Sequence, residues 1–183
     1  MKLFLSPLDS PLGNMLLVTD AQDAVRALDF GDHGSRLRRR LQEQYGEVQL
    51  ENAEAPAAIA GALSRYFAGE LDALNGLRTA AAGSDLQRKV WAGLRRIPAG
   101  ATTSYAGLAR ELGFEDRRAA IDIGAANAAN PVAIIVPCHR VIASNGELKG
   151  YAWGIHRKRW LLEHEKALPP QREQPRTAML PGF

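Results

Sequence analysis

Residues 103–130, TSYAGLARELGFEDRRAAIDIGAANAAN, decide the architecture of the second half of the chain. The hydroxyls of Thr103 and Ser104 precede a helical run from Tyr105 to Leu112, which Gly113 closes. A second helix starts near Asp116 and ends at Asn130-Pro131, because proline cannot continue a helix. Two helices joined by a short turn containing glycine have helix-turn-helix proportions.

Upstream, Ser84-Asp85 caps a helix through Arg96, stopped by Ile97-Pro98-Ala99-Gly100. Downstream, the apolar run Val132 to Val136 leads into Pro137-Cys138-His139-Arg140, and a last helix covers Ile155 to Ala167. Residues 84–168 therefore read as an all-α domain with short loops. Residues 1–83 read as a smaller α/β domain. Strands at 2–5 and 15–18 flank a Ser-Pro-Leu-Gly turn at 10–13, and Ala24 to Phe30 forms a third. A helix follows from Ser35, its expected N-cap, to Tyr45, and its Arg38-Arg39-Arg40 run reads as a solvated face. Val48 to Leu50 gives a short strand. Pro56 opens a helix through Glu70, with Ile59, Leu63, Tyr66 and Phe67 at helical spacing. The domain boundary falls in the small-residue stretch 68–83, and the proline-rich residues 169–183 read as a disordered tail.

Composition narrows the function classes. The chain has 183 residues, 46% of them hydrophobic and 23% charged, which is globular rather than disordered. No apolar run approaches a membrane span, and the N-terminus meets Pro7 and Asp9 too early for a secretory segment. A single cysteine excludes an intrachain disulfide and a cysteine-rich zinc site, so a reducing cytoplasm is the expected compartment. Phosphate-cradling glycine motifs are missing and the four histidines do not cluster with carboxylates, so no cofactor and no metal are expected. The net charge of +3 conceals an asymmetry of −3 over residues 1–83, +5 over 84–168 and +1 over 169–183. A basic second half suits a polyanion such as nucleic acid.

Cys138 is the one candidate nucleophile of its kind. A thiol attacks only as thiolate, which at neutral pH needs a base or a positive charge beside it. His139 is adjacent, and Glu163 or Glu165 on the last helix could orient it. A lone cysteine is equally at home as a buried small hydrophobe.

The wider pattern around PCHRV at 137–141 resembles the O6-alkylguanine-DNA alkyltransferase family. It includes Asn130-Pro131, Asn145-Gly146, Gly150-Tyr151 and the run from Arg157 through Trp160, Leu161 and Leu162 to His164-Glu165. Val90-Trp91, Ile97-Pro98 with Gly100, Thr103-Ser104-Tyr105, Leu108-Ala109 and Gly124-Ala125-Ala126-Asn127 belong to it too, with a weaker likeness at Ser10-Pro11-Leu12-Gly13. The resemblance implies a ribonuclease-H-like N-terminal domain of structural role, and a C-terminal domain that binds duplex DNA through the helix-turn-helix. It implies that an O6-alkylguanine is flipped out of the stack and its alkyl group moved irreversibly to Cys138, once per molecule. His139 would take the thiol proton through a water, Glu165 would orient His139, Asn130 would brace the loop behind Cys138, and Tyr105 would donate to guanine N3. Tyr105, Val141, Tyr151, Ala152 and Trp153 would line the substrate pocket. Thr103, Ser104, Arg118, Ala120, Ile121, Gly124 and Arg140 would meet DNA. The implied partner is double-stranded DNA carrying the lesion, bound by a monomer with no membrane and no obligate protein partner.

Ile121, Asp122 and Trp153 depart from the family pattern. Ile121 stands where the recognition helix carries an arginine that fills the gap left by the flipped base, and Asp122 follows it. An apolar wedge can hold a base step open, but a carboxylate near phosphates opposes binding. Arg118, one turn earlier, could substitute. Trp153 stands where glycine is common, which implies a narrow pocket and a preference for methyl over benzyl adducts. The rival readings are a module that binds alkylated DNA with little transfer, favoured by Ile121 and Asp122, a Cys-His-Glu hydrolase with multiple turnovers, and a plain transcription factor.

Overall fold

The computed structural model describes residues 1–116 and 118–169. The expected disordered tail lies, from 170 onward, outside the described residues. An antiparallel meander of β1 (Lys2–Leu8), β2 (Met15–Thr19) and β3 (Val25–Phe30) opens the chain. After the crossover helix α1 (Gly34–Tyr45), β4 (Gln49–Asn52) pairs parallel to β1, giving the sheet order β3-β2-β1-β4. Met15 and Leu17 face one side of this sheet and Val18 the other, as the two-residue repeat of a strand requires. Val18, Leu3 and Ala27 pack on Leu37 and Leu41 of α1. Met15, Leu17, Leu28 and Phe30 join the larger core shared with α2 (Ala57–Phe67) and the second half of the chain. Burying each such large side chain contributes about 1.5–3 kcal/mol.

The second half is a helical region. It comprises α3 (Asp85–Leu94), α4 (Tyr105–Glu111), α5 (Ala119–Ala128) and α6 (Ile155–His164). Ser84 caps α3 in a reciprocal box with Gln87, and the Ser104 hydroxyl accepts from Gly107 N–H at 3.0 Å to start α4. Gly113, at φ +82°, turns the chain after α4, a conformation that suits a residue without Cβ. The second helix of the pair begins at Ala119 rather than near Asp116: Asp116 accepts the Arg118 N–H and so serves the turn before it. The region is also not purely helical. Thr103–Ser104 (β5) and Val141–Ile142 (β6) form a short parallel ladder that ties the start of α4 to the segment after Cys138. In the first half, Ser35 lies inside α1 instead of capping it, because the 3₁₀ turn Gly31–His33 runs directly into the helix.

The two halves are closely joined. The outer edge of β3 is covered on both sides of Ala27: Val25 bonds to residues 78 and 80, and Leu28 exchanges hydrogen bonds with Pro131 and Ala133. A strand edge that would otherwise be unpaired is thus closed by the chain itself. Arg157 of α6 lies over the Phe30 ring and reaches Asp32 at 2.9 Å, and Trp153 donates its indole N–H to Asp29.

Candidate active site

The pairing of Leu28 with residues 131 and 133 fixes the start of a tight loop that delivers Cys138. Ala133 accepts from Ile135 N–H at 2.6 Å across Ile134, whose φ is +65°. A left-handed, β-branched residue in a three-residue turn is strained by about 1–3 kcal/mol, and its surroundings must hold it there. A second such turn, of the relaxed kind, is centred on Pro137 at φ −82° and ψ 63°, and closes Cys138 N–H onto Val136 O at 2.8 Å. Asn130 staples the whole loop. Its amide donates to Val132 O (3.2 Å) and Val136 O (2.8 Å), and its carbonyl oxygen accepts Val132 N–H at 2.9 Å.

Cys138 opens the 3₁₀ turn Cys138–Arg140 and is 3% exposed. Burial pushes its thiol pKa up to about 11, against the pull of the Asn130 amide and the charges of Lys158 and Arg40. His139 is fully buried and held below the usual imidazole range by that burial, although Glu165 opposes the shift. The ring is therefore neutral at pH 7. Its Nε2 lies 2.9 Å from Glu165 Oε1, while Nδ1 has no partner among the described residues. A carboxylate cannot donate, so Nε2 carries the proton and Nδ1 keeps a free lone pair.

Glu165, the first residue after α6, is the carboxylate of the pair Glu163 and Glu165 that meets His139. Burial alone would raise its pKa, but hydrogen bonds from His139 and Arg140, and the guanidinium charge, hold it well below the carboxylate range. Arg140 is where the sequence reading needs correction. It does not face DNA: it is buried, its Nε and Nη2 grip Glu165 at 2.9 Å each, and Nη1 donates to Ile97 O. This pair neutralises the carboxylate inside the protein.

The remaining predicted residues take the following places. Tyr105 is half-buried at the start of α4, its ring against Gly124 and its hydroxyl toward Gly150, with its pKa raised by burial and by Cys138. Thr103 and Ser104 are half-buried in β5, and Val141 is buried in β6. The Tyr151 ring stands edge-on to His139 and, at 5.2 Å, to Trp153, and its buried hydroxyl has no partner among the described residues. Ala152 is half-buried, and its carbonyl accepts from Arg36. Trp153 is 1% exposed, so it backs Tyr151 from the core instead of standing at an opening. On α5, Ala120 and Gly124 are half-buried, and Arg118, just before the helix, is exposed. Ile121 is 74% exposed.

The structure adds groups that the sequence reading missed. Arg40, read as part of a wet face, is half-buried and donates to Asn130 O at 3.1 Å. Lys158 is fully buried, donates to Val141 O and Lys149 O, and is lowered to about 8 by burial, against the effect of Cys138. Tyr66 donates its phenol to Glu165 Oε1 at 2.7 Å. Faint signals existed. Arg36 and Arg40 are one helical turn apart on the flank of Leu37 and Leu41, Lys158 precedes Leu161 and Leu162 by a turn, and a core tyrosine needs a partner for its hydroxyl.

A family model described as 6-O-methylguanine DNA methyltransferase, DNA binding domain, matches residues 85–167, and its ribonuclease-like domain matches residues 3–81. The chain belongs to this methyltransferase family. A Salmonella typhimurium relative named methylated-DNA–protein-cysteine methyltransferase is 44% identical over 158 residues, covering 85% of this chain and 91% of its own. The crystal structure of Mycobacterium tuberculosis O6-methylguanine methyltransferase is 36% identical, with a TM-score of 0.74 over 93% of this chain and 96% of that one. That of M. tuberculosis OGT in complex with DNA gives a TM-score of 0.73 at 36% identity, over 91% and 94% of the two chains. On α5 this member of the methyltransferase family exposes Ile121 and Asp122 side by side.

Proposed function

We propose that this protein repairs O6-alkylguanine in duplex DNA by direct reversal, moving the alkyl group to Cys138 and acting once. The observation that carries this reading is the buried trio Cys138, His139 and Glu165, with Glu165 on the imidazole Nε2 and the Nδ1 without a partner among the described residues. A thiol held near 11 does not ionise unaided at neutral pH. His139 Nδ1 takes its proton, through a water in the family pattern, and the resulting imidazolium is met by Glu165. The new thiolate has Lys158 and Arg40 as its cationic neighbours.

The chemistry is displacement at a saturated carbon. Sulfur forms a bond to the alkyl carbon, the carbon–oxygen bond breaks, and the electron pair passes to guanine. In this reading the Tyr105 phenol donates to the ring as that charge develops. Guanine regains a proton and leaves, and the thioether on Cys138 remains because no simple step reverses it. Dry surroundings strengthen each of these electrostatic contacts.

We read α4 and α5 as the helix-turn-helix, with α5 toward the major groove and Ile121 or Arg118 holding the vacated position in the stack. Flipping costs a few kcal/mol and is cheapest where pairing is already weakened, which favours a damaged guanine. The ribonuclease-like half serves as a brace for the site. Incubation with a duplex carrying one O6-methylguanine, followed by intact and peptide mass measurement, tests the proposal. The peptide containing Cys138 gains one CH2 unit, stoichiometrically, and Cys138→Ser gains none. A duplex cleared catalytically, or an unmodified Cys138 peptide, overturns it.

A further inference from the structure

Glu165 is held from two directions. His139 and Arg140 approach it from the loop that carries Cys138, and Tyr66 reaches it from α2, 99 residues earlier. Tyr66 is itself immobilised. Its ring packs edge-on to Phe67 and His164, and its carbonyl oxygen lies 2.8 Å from His164 Nε2. His164 in turn stacks on Trp160 at 4.8 Å. Side chain and main chain of this one residue therefore both dock on the C-terminal end of α6.

We propose that Tyr66 is a positioning residue for alkyl transfer, which sets the basicity of His139 by occupying part of Glu165. This rests on the reading of Cys138 as the acceptor and His139 as its base. Glu165 Oε1 accepts three donors, from Tyr66, His139 and Arg140, while Oε2 accepts Arg140 Nε. The Tyr66 proton does not leave at any working pH, since burial and the adjacent negative charge push its ionisation far above the ordinary phenol value. A permanent neutral donor on Oε1 draws off electron density that would otherwise go to His139 Nε2–H. It also fixes the carboxylate plane, which keeps the proton on Nε2 and leaves Nδ1 for the thiol.

The other charged and titratable groups around His139 are Arg140 on its own turn, Lys158 on α6, Cys138, and Tyr151 from the loop before α6. Removing the Tyr66 hydroxyl leaves all of them in place. Glu165 then pulls harder on His139, and the imidazole binds a second proton at a higher pH than before. A doubly protonated ring cannot accept the thiol proton, so transfer is lost at the acid end and retained at the alkaline end.

The test is Tyr66→Phe, which keeps the ring. Single-turnover transfer from an O6-methylguanine duplex is followed across pH, with duplex affinity and melting midpoint measured on the same protein, and His139 is titrated by NMR without DNA. The acid limb and the His139 midpoint are expected to move upward together, so that transfer on the acid side falls about three- to tenfold while the alkaline plateau holds. Site-specific 3-fluorotyrosine at position 66, a stronger donor, moves both downward. Superimposable profiles, or an equal loss at every pH with a lowered melting midpoint, overturn the proposal. If wild-type Cys138 gains no mass, the repair reading falls, and the NMR midpoint still decides whether Tyr66 governs His139.

Discussion

The Trp153 indole donates to the Asp29 carboxylate at 2.5 Å, joining the loop before α6 to the end of β3. Asp29 also receives Arg36 at 3.0 Å, and the Arg36 guanidinium lies over the Trp153 ring. The indole is therefore locked in place and cannot swing aside for a large adduct. With Trp153 behind it, Tyr151 has no room to retreat. Methyl transfer is accordingly expected to outpace benzyl transfer, and Trp153→Gly to narrow that gap by about tenfold or more, the scale that shape discrimination in a pocket reaches. Rates with O6-methyl- and O6-benzylguanine oligonucleotides measure the ratio.

Glu165→Gln is expected to damage both stability and chemistry. It leaves the buried Arg140 without its counter-charge, and breaking such a pair costs about 3–5 kcal/mol. It also removes the partner that stabilises the His139 imidazolium, so transfer falls by about a hundredfold, the scale of general base catalysis. Denaturant unfolding and single-turnover kinetics read the two effects separately.

On α5, the exposed Ile121 and Asp122 are expected to make opposite contributions to duplex binding. Ile121→Ala is expected to slow transfer from duplex more than from a single strand, because only the duplex has a stack to hold open. Asp122→Asn is expected to tighten duplex binding, most at low salt, by removing a negative charge from beside the phosphates. Arg118→Ala weakens it. Rates and affinities across a salt series check all three, and duplex transfer at the wild-type rate in both Ile121→Ala and Arg118→Ala excludes these residues as the wedge.

Lys158 and Cys138 give stability a distinctive alkaline profile. Lys158 titrates near 8 in the folded chain and near 10.5 when unfolded, so between these values the unfolded state holds more protons and stability rises with pH. Cys138 does the reverse, since its folded value of about 11 exceeds the reference value of 9.0. A rise from about pH 8 to 9 is expected, then a plateau as the thiol cancels it, with the buried Tyr66 and Tyr151 turning it downward above 10. In Cys138→Ser the rise continues past 9. Urea unfolding at stepped pH measures it.

Much of this was legible from residue order alone, and the boundary is physical. Helix ends were marked by local chemistry: Ser84 with Gln87, Ser104 before Tyr105, Gly113 after α4. The apolar run Met15 to Val18 after the Ser10–Gly13 turn marked a strand. Cys138, His139, Asn130 and Glu165 lie in a recognisable pattern and meet in space. What stayed hidden was long-range. Nothing in the neighbourhood of Arg140 distinguishes a guanidinium aimed at phosphate from one folded back onto Glu165. Arg40 sits in a run of three arginines, two of which remain exposed, and only its docking on Asn130 sets it apart. Tyr66 has the spacing of a core residue, which it is, and its hydroxyl found its partner across the molecule.

The covered edge of β3 has a consequence for any hybrid gene that joins the front of one relative to the back of another. Leu28 is paired main chain to main chain with the segment leading to the reactive sulfur, so that seam tolerates changes of side chain. Asp29 with Trp153, Asp32 with Arg157, Arg40 with the Asn130 carbonyl and Tyr66 with Glu165 are different: each depends on a particular side chain on the front piece. A graft that keeps the front residue of every couple inherits a working partner. One that breaks a couple strands a polar group in a place that water does not reach.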